Sequence, residues 1–122
     1  MWKLLLLMSL GLAGCSGQVE KTQLPGSYEF MLDGIRQVVV IGADGQYTNT
    51  LYKDGAATWS DKQAWTYEEQ DGKSGVTFTG FRFGIPGHAS SPGLWFVIPE
   101  KTLGGTKELC FDADLGHCFQ SR

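Results

Sequence analysis

The sequence predicts an all-β domain, an antiparallel meander of about eight strands closing into a small barrel or half-barrel. Three observations carry that expectation. Short runs alternate apolar and polar residues, the period of a strand with one buried face. Turn signals separate the runs: Asp33-Gly34, Ala43-Asp44-Gly45, Asp54-Gly55 and Asp71-Gly72. The composition holds 17 Gly, 7 Phe, 4 Tyr and 4 Trp, which favours strands and tight turns over helices.

Tyr28, Phe30 and Leu32 alternate with polar neighbours and open the first strand. Asp33-Gly34 is a two-residue hairpin signal, and residues 35–41 (IRQVVVI) form the second strand. After Ala43-Asp44-Gly45, residues 46–53 (QYTNTLYK) place Tyr47 and Leu51 on one face. Residues 57–67 (ATWSDKQAWTY) read as one long or interrupted strand anchored by Trp59 and Trp65. Residues 76–83 (VTFTGFRF) follow, with Gly80 marking a bulge. Residues 84–93 (GIPGHASSPG) then form a long loop, the best candidate for a lid or partner surface. A short strand at 94–98, a second loop at 99–105 and a terminal hairpin of 107–112 with 117–121 complete the chain. Closely spaced turns make neighbouring strands antiparallel. A long sheet with one face to bury curls, which also protects its edges. A two-sheet sandwich is the alternative.

The first residues read differently. Lys3 precedes an apolar run from Leu4 to Leu12. That run suits a signal-peptide core and is about half of what a spanning helix needs. It ends in Leu12-Ala13-Gly14-Cys15, which resembles the lipobox of bacterial lipoproteins. The resemblance implies cleavage before Cys15, a diacylglyceryl group on its thiol and an acylated new amino terminus. Residues 1–14 are then a signal peptide, 15–25 a lipidated cysteine and tether, and 26–122 the β domain. Two or three acyl chains anchor a protein firmly where one holds it marginally. Ser16, in place of the aspartate common in inner-membrane lipoproteins, implies an outer-membrane location facing the periplasm. Residues 16–25 (SGQVEKTQLP) lack periodicity. As an extended tether they would reach roughly 33 Å.

Losing Lys3 leaves nine basic residues against thirteen acidic ones, a mature net charge of −4. Dispersed acidic charge offers no electrostatic footprint for nucleic acid and no basic patch for anionic lipid. Gly26-Ser27-Tyr28, then Ala43-Asp44-Gly45-Gln46-Tyr47, then Trp65, is similar to the pattern of small lipocalin-like bacterial proteins. The terminal Phe111-Asp112-Ala113-Asp114-Leu115-Gly116 resembles a loop of uncharacterised lipoproteins of this sort. The resemblance implies a fold and no single activity.

Cys110 and Cys118 remain once lipidation claims Cys15, and an envelope location favours their pairing. Two hairpin registers stay open. An odd loop centred on Asp114 sets the two cysteines face to face. A four-residue loop from Ala113 to Gly116 pairs Asp112 with His117 and sends the thiols to opposite faces. No other grouping rises to chemistry. Asp112, Asp114 and His117 offer too few ligands for calcium or zinc, so no metal is expected. His88, Ser90 and Ser91 lack a nucleophile elbow. Glu68, Glu69 and Asp71 read as a solvated turn, and 104–107 (GGTK) is not a phosphate loop. No cofactor motif is present and no enzymatic activity is expected.

The aromatic residues either fill the barrel or line a cavity, with Trp59, Trp65, Trp95 and Tyr47 the candidates to face a ligand. The expected function is that of a membrane-anchored, non-enzymatic envelope lipoprotein binding a protein partner or a small apolar ligand. The alternative is an inhibitor or structural subunit of an envelope enzyme or outer-membrane assembly.

Overall fold

A computed structural model describes residues 19–85 and 91–122, so the leader, Cys15 and residues 86–90 lie outside the described residues. The described residues form one curled antiparallel sheet of nine strands: β1 (Gly26–Leu32), β2 (Ile35–Ile41), β3 (Gln46–Lys53), β4 (Ala56–Gln70), β5 (Lys73–Phe81), β6 (Gly93–Val97), β7 (Glu100–Lys101), β8 (Lys107–Asp112) and β9 (His117–Ser121). Their order is β6-β5-β4-β3-β2-β1-β9-β8-β7. The meander is a half-barrel, not a sandwich. The ninth strand is β7, two residues of the segment expected as a loop, which pair with β8 through Glu100↔Glu108 and Lys101↔Lys107.

The turns follow from their residues. Asp33-Gly34, Asp54-Gly55 and Asp71-Gly72 all have positive φ at both positions, the requirement of the turn whose twist matches a hairpin. Each sits between a directly paired couple: Leu32↔Ile35, Lys53↔Ala56 and Gln70↔Lys73. At the β2–β3 turn only Gly45 has positive φ, and the Asp44 carboxylate accepts from the Gln46 amide at 3.1 Å.

β4 joins the two halves of the sheet. Residues up to Ala64 pair with β3, and Trp65 onward pairs with β5. Gly80, at φ 63°, interrupts the β5 ladder, whose register shifts between Phe78 and Phe81. Beyond that point the chain leaves the sheet edge and crosses the concave face. Gly84 packs so closely on Leu51 of β3 that a Cβ there would meet its methyl carbons at 2.6 Å. Residues 82–85, which include the start of the 84–93 loop, thus form a strap across the core, half-buried at Arg82, Phe83 and Gly84 and buried at Ile85.

The core lies on the concave face: Tyr28, Phe30, Val39, Ile41, Tyr47, Trp65, Val76, Phe78, Phe81, Val97, Leu109 and Phe119. Closure is partial. β1 and β9 share the pairs Tyr28↔Ser121 and Glu29↔Gln120. On the open side β6 and β8 approach each other without a ladder, and the Trp95 and Phe119 rings meet across the gap at 5.9 Å.

The tether expectation is corrected over residues 19–25. Val19 and Leu24 are buried at 1% and 0% exposure. A 3-10 turn at Lys21–Gln23 carries a capping box between Glu20 and Gln23. The Tyr67 hydroxyl donates to the Val19 carbonyl at 2.8 Å, and the Tyr28 hydroxyl to the Leu24 carbonyl at 2.7 Å. Two apolar side chains spaced across a short turn cap the barrel end, a pattern too brief to register as periodicity.

Candidate functional site

The concave face holds two kinds of group. The first is a continuous aromatic cluster. Phe81 lies against Trp95 at 4.7 Å between ring centroids, Phe83 at 4.9 Å and Phe78 at 5.4 Å. Phe30, Phe111 and Phe119 extend it across β1, β8 and β9, with Phe30–Phe111 at 5.0 Å and Phe111–Phe119 at 5.4 Å. These separations are those of rings in direct contact. The barrel interior is therefore occupied by its own side chains.

The second is a buried polar clamp. Gln37 on β2 and Asn49 on β3 point inward at 0% exposure. The Gln37 amide donates to the Asn49 side-chain oxygen at 2.8 Å and to the Arg82 carbonyl at 3.0 Å. Asn49 donates to the same carbonyl at 3.0 Å, and the Gly84 amide donates to Gln37 Oε1 at 3.0 Å. Arg82 and Gly84 lie outside the strands, and the Arg82 carbonyl and the Gly84 amide take side-chain partners instead. The Arg82 side chain fixes the strap to β4, with two hydrogen bonds to Asp61 at 2.7 and 3.0 Å and its guanidinium 4.1 Å from the Trp59 ring centre.

The four residues read as ligand-facing do not share a cavity wall. Tyr47 is buried, edge-on to Phe78, and donates its hydroxyl to the Thr79 carbonyl at 2.6 Å. Trp95 stacks on Phe78 within the cluster. Trp59 sits at the rim under Arg82. Trp65 is buried at the end closed by the N-terminal segment, and its indole N–H donates to the Gly42 carbonyl at 2.9 Å. Burial pushes the Tyr28 hydroxyl up to about 12. Burial, and then the nearby Asp61 carboxylate, raise Tyr47 well above the usual tyrosine range.

Cys110 and Cys118 are joined by a disulfide, their Cα atoms 3.9 Å apart. Both registers considered from sequence are present at once. Asp112 pairs with His117 as a four-residue loop with left-handed Gly116 requires, and Cys110 still faces Cys118. A bulge at Phe111 takes up the extra residue. The pair lies on the face opposite Leu109 and Phe119. The Asp112 carboxylate accepts from the Leu115 amide at 3.3 Å, its ordinary role in a turn. His117 lies against Phe30 and Phe111, and its Nδ1 is buried with no hydrogen-bond partner among the described residues. Glu108 and the two cysteine sulfurs come within 4.8 Å of one another, but disulfide sulfur is not the thiolate that binds metal.

Glu68 accepts from the Thr77 hydroxyl across the strands at 2.6 Å. Gly104 and Gly105 belong to a tight turn in which the Thr102 hydroxyl accepts from the Thr106 amide at 3.2 Å. His88 and Ser90 lie outside the described residues, and Ser91 is exposed.

At the surface, an open groove of about 530 Å³ runs between the β4–β5 turn and the β6–β7 connection. Its lining is mostly polar, with Ile98 and Pro99 the apolar members, unlike the mainly apolar wall of a small-molecule site. Gln37 and Asn49 are the residues the sequence reading passed over. Their signal was parity: each occupies a core-facing position of its strand, in step with Val39 or with Tyr47 and Leu51. No known protein family, curated protein or solved structure matches the chain.

Proposed function

We propose that this chain is a membrane-anchored envelope lipoprotein, without catalytic activity of its own, whose β domain holds a protein partner on its surface. The observation that carries the choice of partner over ligand is the filled interior. A half-barrel whose concave face is occupied by touching rings and a clamped strap leaves recognition to the outside. The anchor rests on Leu12-Ala13-Gly14-Cys15 and the apolar run before it. Outer-membrane placement facing the periplasm rests on Ser16. Met31 and Leu115 stand 65% and 66% exposed at the end formed by the β1–β2 turn and the β8–β9 loop. Met31 and Gly116 border one groove of about 380 Å³ there. These are the apolar groups that end offers a partner.

Native mass spectrometry of the protein extracted from its own membrane tests the reading. A stoichiometric protein complex is the expected result. A co-purifying small apolar molecule with no partner would refute it. Cys15→Ser should leave the protein unlipidated and release it from the membrane fraction, and firm membrane retention of that variant would defeat the anchor assignment.

A further inference from the structure

We infer that the barrel end capped by residues 19–25 is seated directly on the phospholipid surface, with Leu103 entering it. This rests on the lipoprotein reading above and adds where the domain sits and which residue touches lipid. The first observation is the length of free chain. Val19 is fixed in the fold by burial and by its bond to Tyr67. Four residue steps separate it from Cys15, which at full extension span no more than about 14 Å. The domain therefore cannot stand off by the 33 Å that a ten-residue tether allows. The end of the barrel at Val19 is therefore kept within about 14 Å of the lipidated residue whatever path those residues take.

The second observation is what that end carries. The β2–β3, β4–β5 and β7–β8 turns all lie there. Ala43 and Trp65 share a groove with Lys21, Thr22 and Pro25. Lys107, at the foot of the β7–β8 turn, donates its ammonium to the Gln23 carbonyl, which ties that turn to the anchored segment. At the tip of the turn, between Thr102 and the Gly104-Gly105 pair, Leu103 is 109% exposed, the most open large apolar side chain among the described residues. A single exposed leucine needs no explanation by itself. Beside a tether this short, it is held at high effective concentration next to an apolar phase. Lys21, Lys73, Lys101 and Lys107 are interleaved at this end with Glu20, Asp44, Asp71 and Glu100, and the Lys107 ammonium is already held by the Gln23 carbonyl. Among the described residues this end has no basic patch, so the contact is apolar and does not require anionic lipid.

Spin labels report it. Leu103→Cys and Ala43→Cys at the seated end, and Leu115→Cys at the far end, are made in the full chain, processed by the producing cell. They are then reconstituted in phosphatidylcholine vesicles. The native thiols do not interfere, since Cys110 and Cys118 are bonded and Cys15 is modified. The expected result is that the label at 103 loses collisions with an aqueous nickel complex and gains them with oxygen, while the label at 115 stays nickel-accessible. The label at 43 should lose nickel access partly. Ten Gly/Ser residues inserted after Gly17 should restore nickel access at 103. A lipidated Cys15 peptide together with a water-exposed label at 103 would overturn this inference and leave the lipoprotein reading standing. An unmodified Cys15 would overturn both. A label at 103 already shielded before reconstitution, in a complex with another protein, would give that surface to the partner and refute the lipid contact.

Discussion

Replacing Gln37 with leucine tests the clamp that holds the strap across the barrel. The side chains are of similar size, so the change removes hydrogen bonds more than volume. Gln37 makes three: to Asn49, to the Arg82 carbonyl and from the Gly84 amide. In Gln37→Leu the Arg82 carbonyl keeps its bond from Asn49. The Gly84 amide and the Asn49 side-chain oxygen lose theirs inside the core. Each buried group left without a partner costs about 1–3 kcal/mol, and the added apolar contact returns about 1 kcal/mol. The net loss should be about 1–5 kcal/mol, centred near 3, a large share of the roughly 5–15 kcal/mol that holds a domain together. Urea unfolding of the Cys15→Ser chain, followed by tryptophan fluorescence, should show the midpoint falling by about 1–2 M at unchanged slope. Hydrogen exchange at the Gly84 amide should accelerate more than at Val39, because the strap opens before the sheet. A loss below about 1 kcal/mol, or a full loss with Gly84 still protected, would refute the reasoning. Asn49→Leu added to this variant should cost less than it does alone, since the two amides share one network.

Three other outcomes follow from the same structure. Replacing Cys110 and Cys118 together with alanine opens a short loop and should cost about 2–3 kcal/mol, read as a lower urea midpoint that reductant no longer changes. Gly75→Ala would place a Cβ 2.7 Å from the Val97 carbonyl and 2.6 Å from the Phe96 ring. Parting β5 from β6 should cost about 1–3 kcal/mol, with faster exchange at Val97 as the local signature. Alkaline titration should show stability falling as pH rises from the ordinary tyrosine value near 10 towards the folded value of about 12 at Tyr28. There the folded chain holds a proton the unfolded chain has released, so the contribution is complete below pH 10 and lost above. Stability flat across that window, with Tyr28→Phe behaving like the parent, would contradict it.

The strands were legible from sequence because local chemistry specifies them. Asp33-Gly34, Asp54-Gly55 and Asp71-Gly72 meet a φ requirement that few other pairs meet. The alternation through Tyr28, Phe30, Val39, Ile41, Tyr47 and Leu51 marks the buried face. Glu100–Lys101 was missed because two residues carry no period. Val19 and Leu24 were missed because they dock as isolated side chains after a single turn.

The disulfide shows where local reasoning stops. Composition favours the four-residue loop and compartment favours the bond, and sequence alone sets them against each other. Only the assembled hairpin, packing Phe111 against Phe30 and Phe83, shows that a bulge accommodates both. The same holds for the polar clamp. Residues 37 and 49 are inward by parity, yet whether an inward amide is a defect or a partner depends on a strap that arrives from residues 82–84. Sequence by itself determined the strand pattern, the turns and the lipobox resemblance, since each depends on neighbours in the chain. Whether the barrel is filled, which end is capped and how short the tether becomes were decided by the tertiary structure. Those properties depend on contacts between residues far apart in sequence, whose partners no local pattern names.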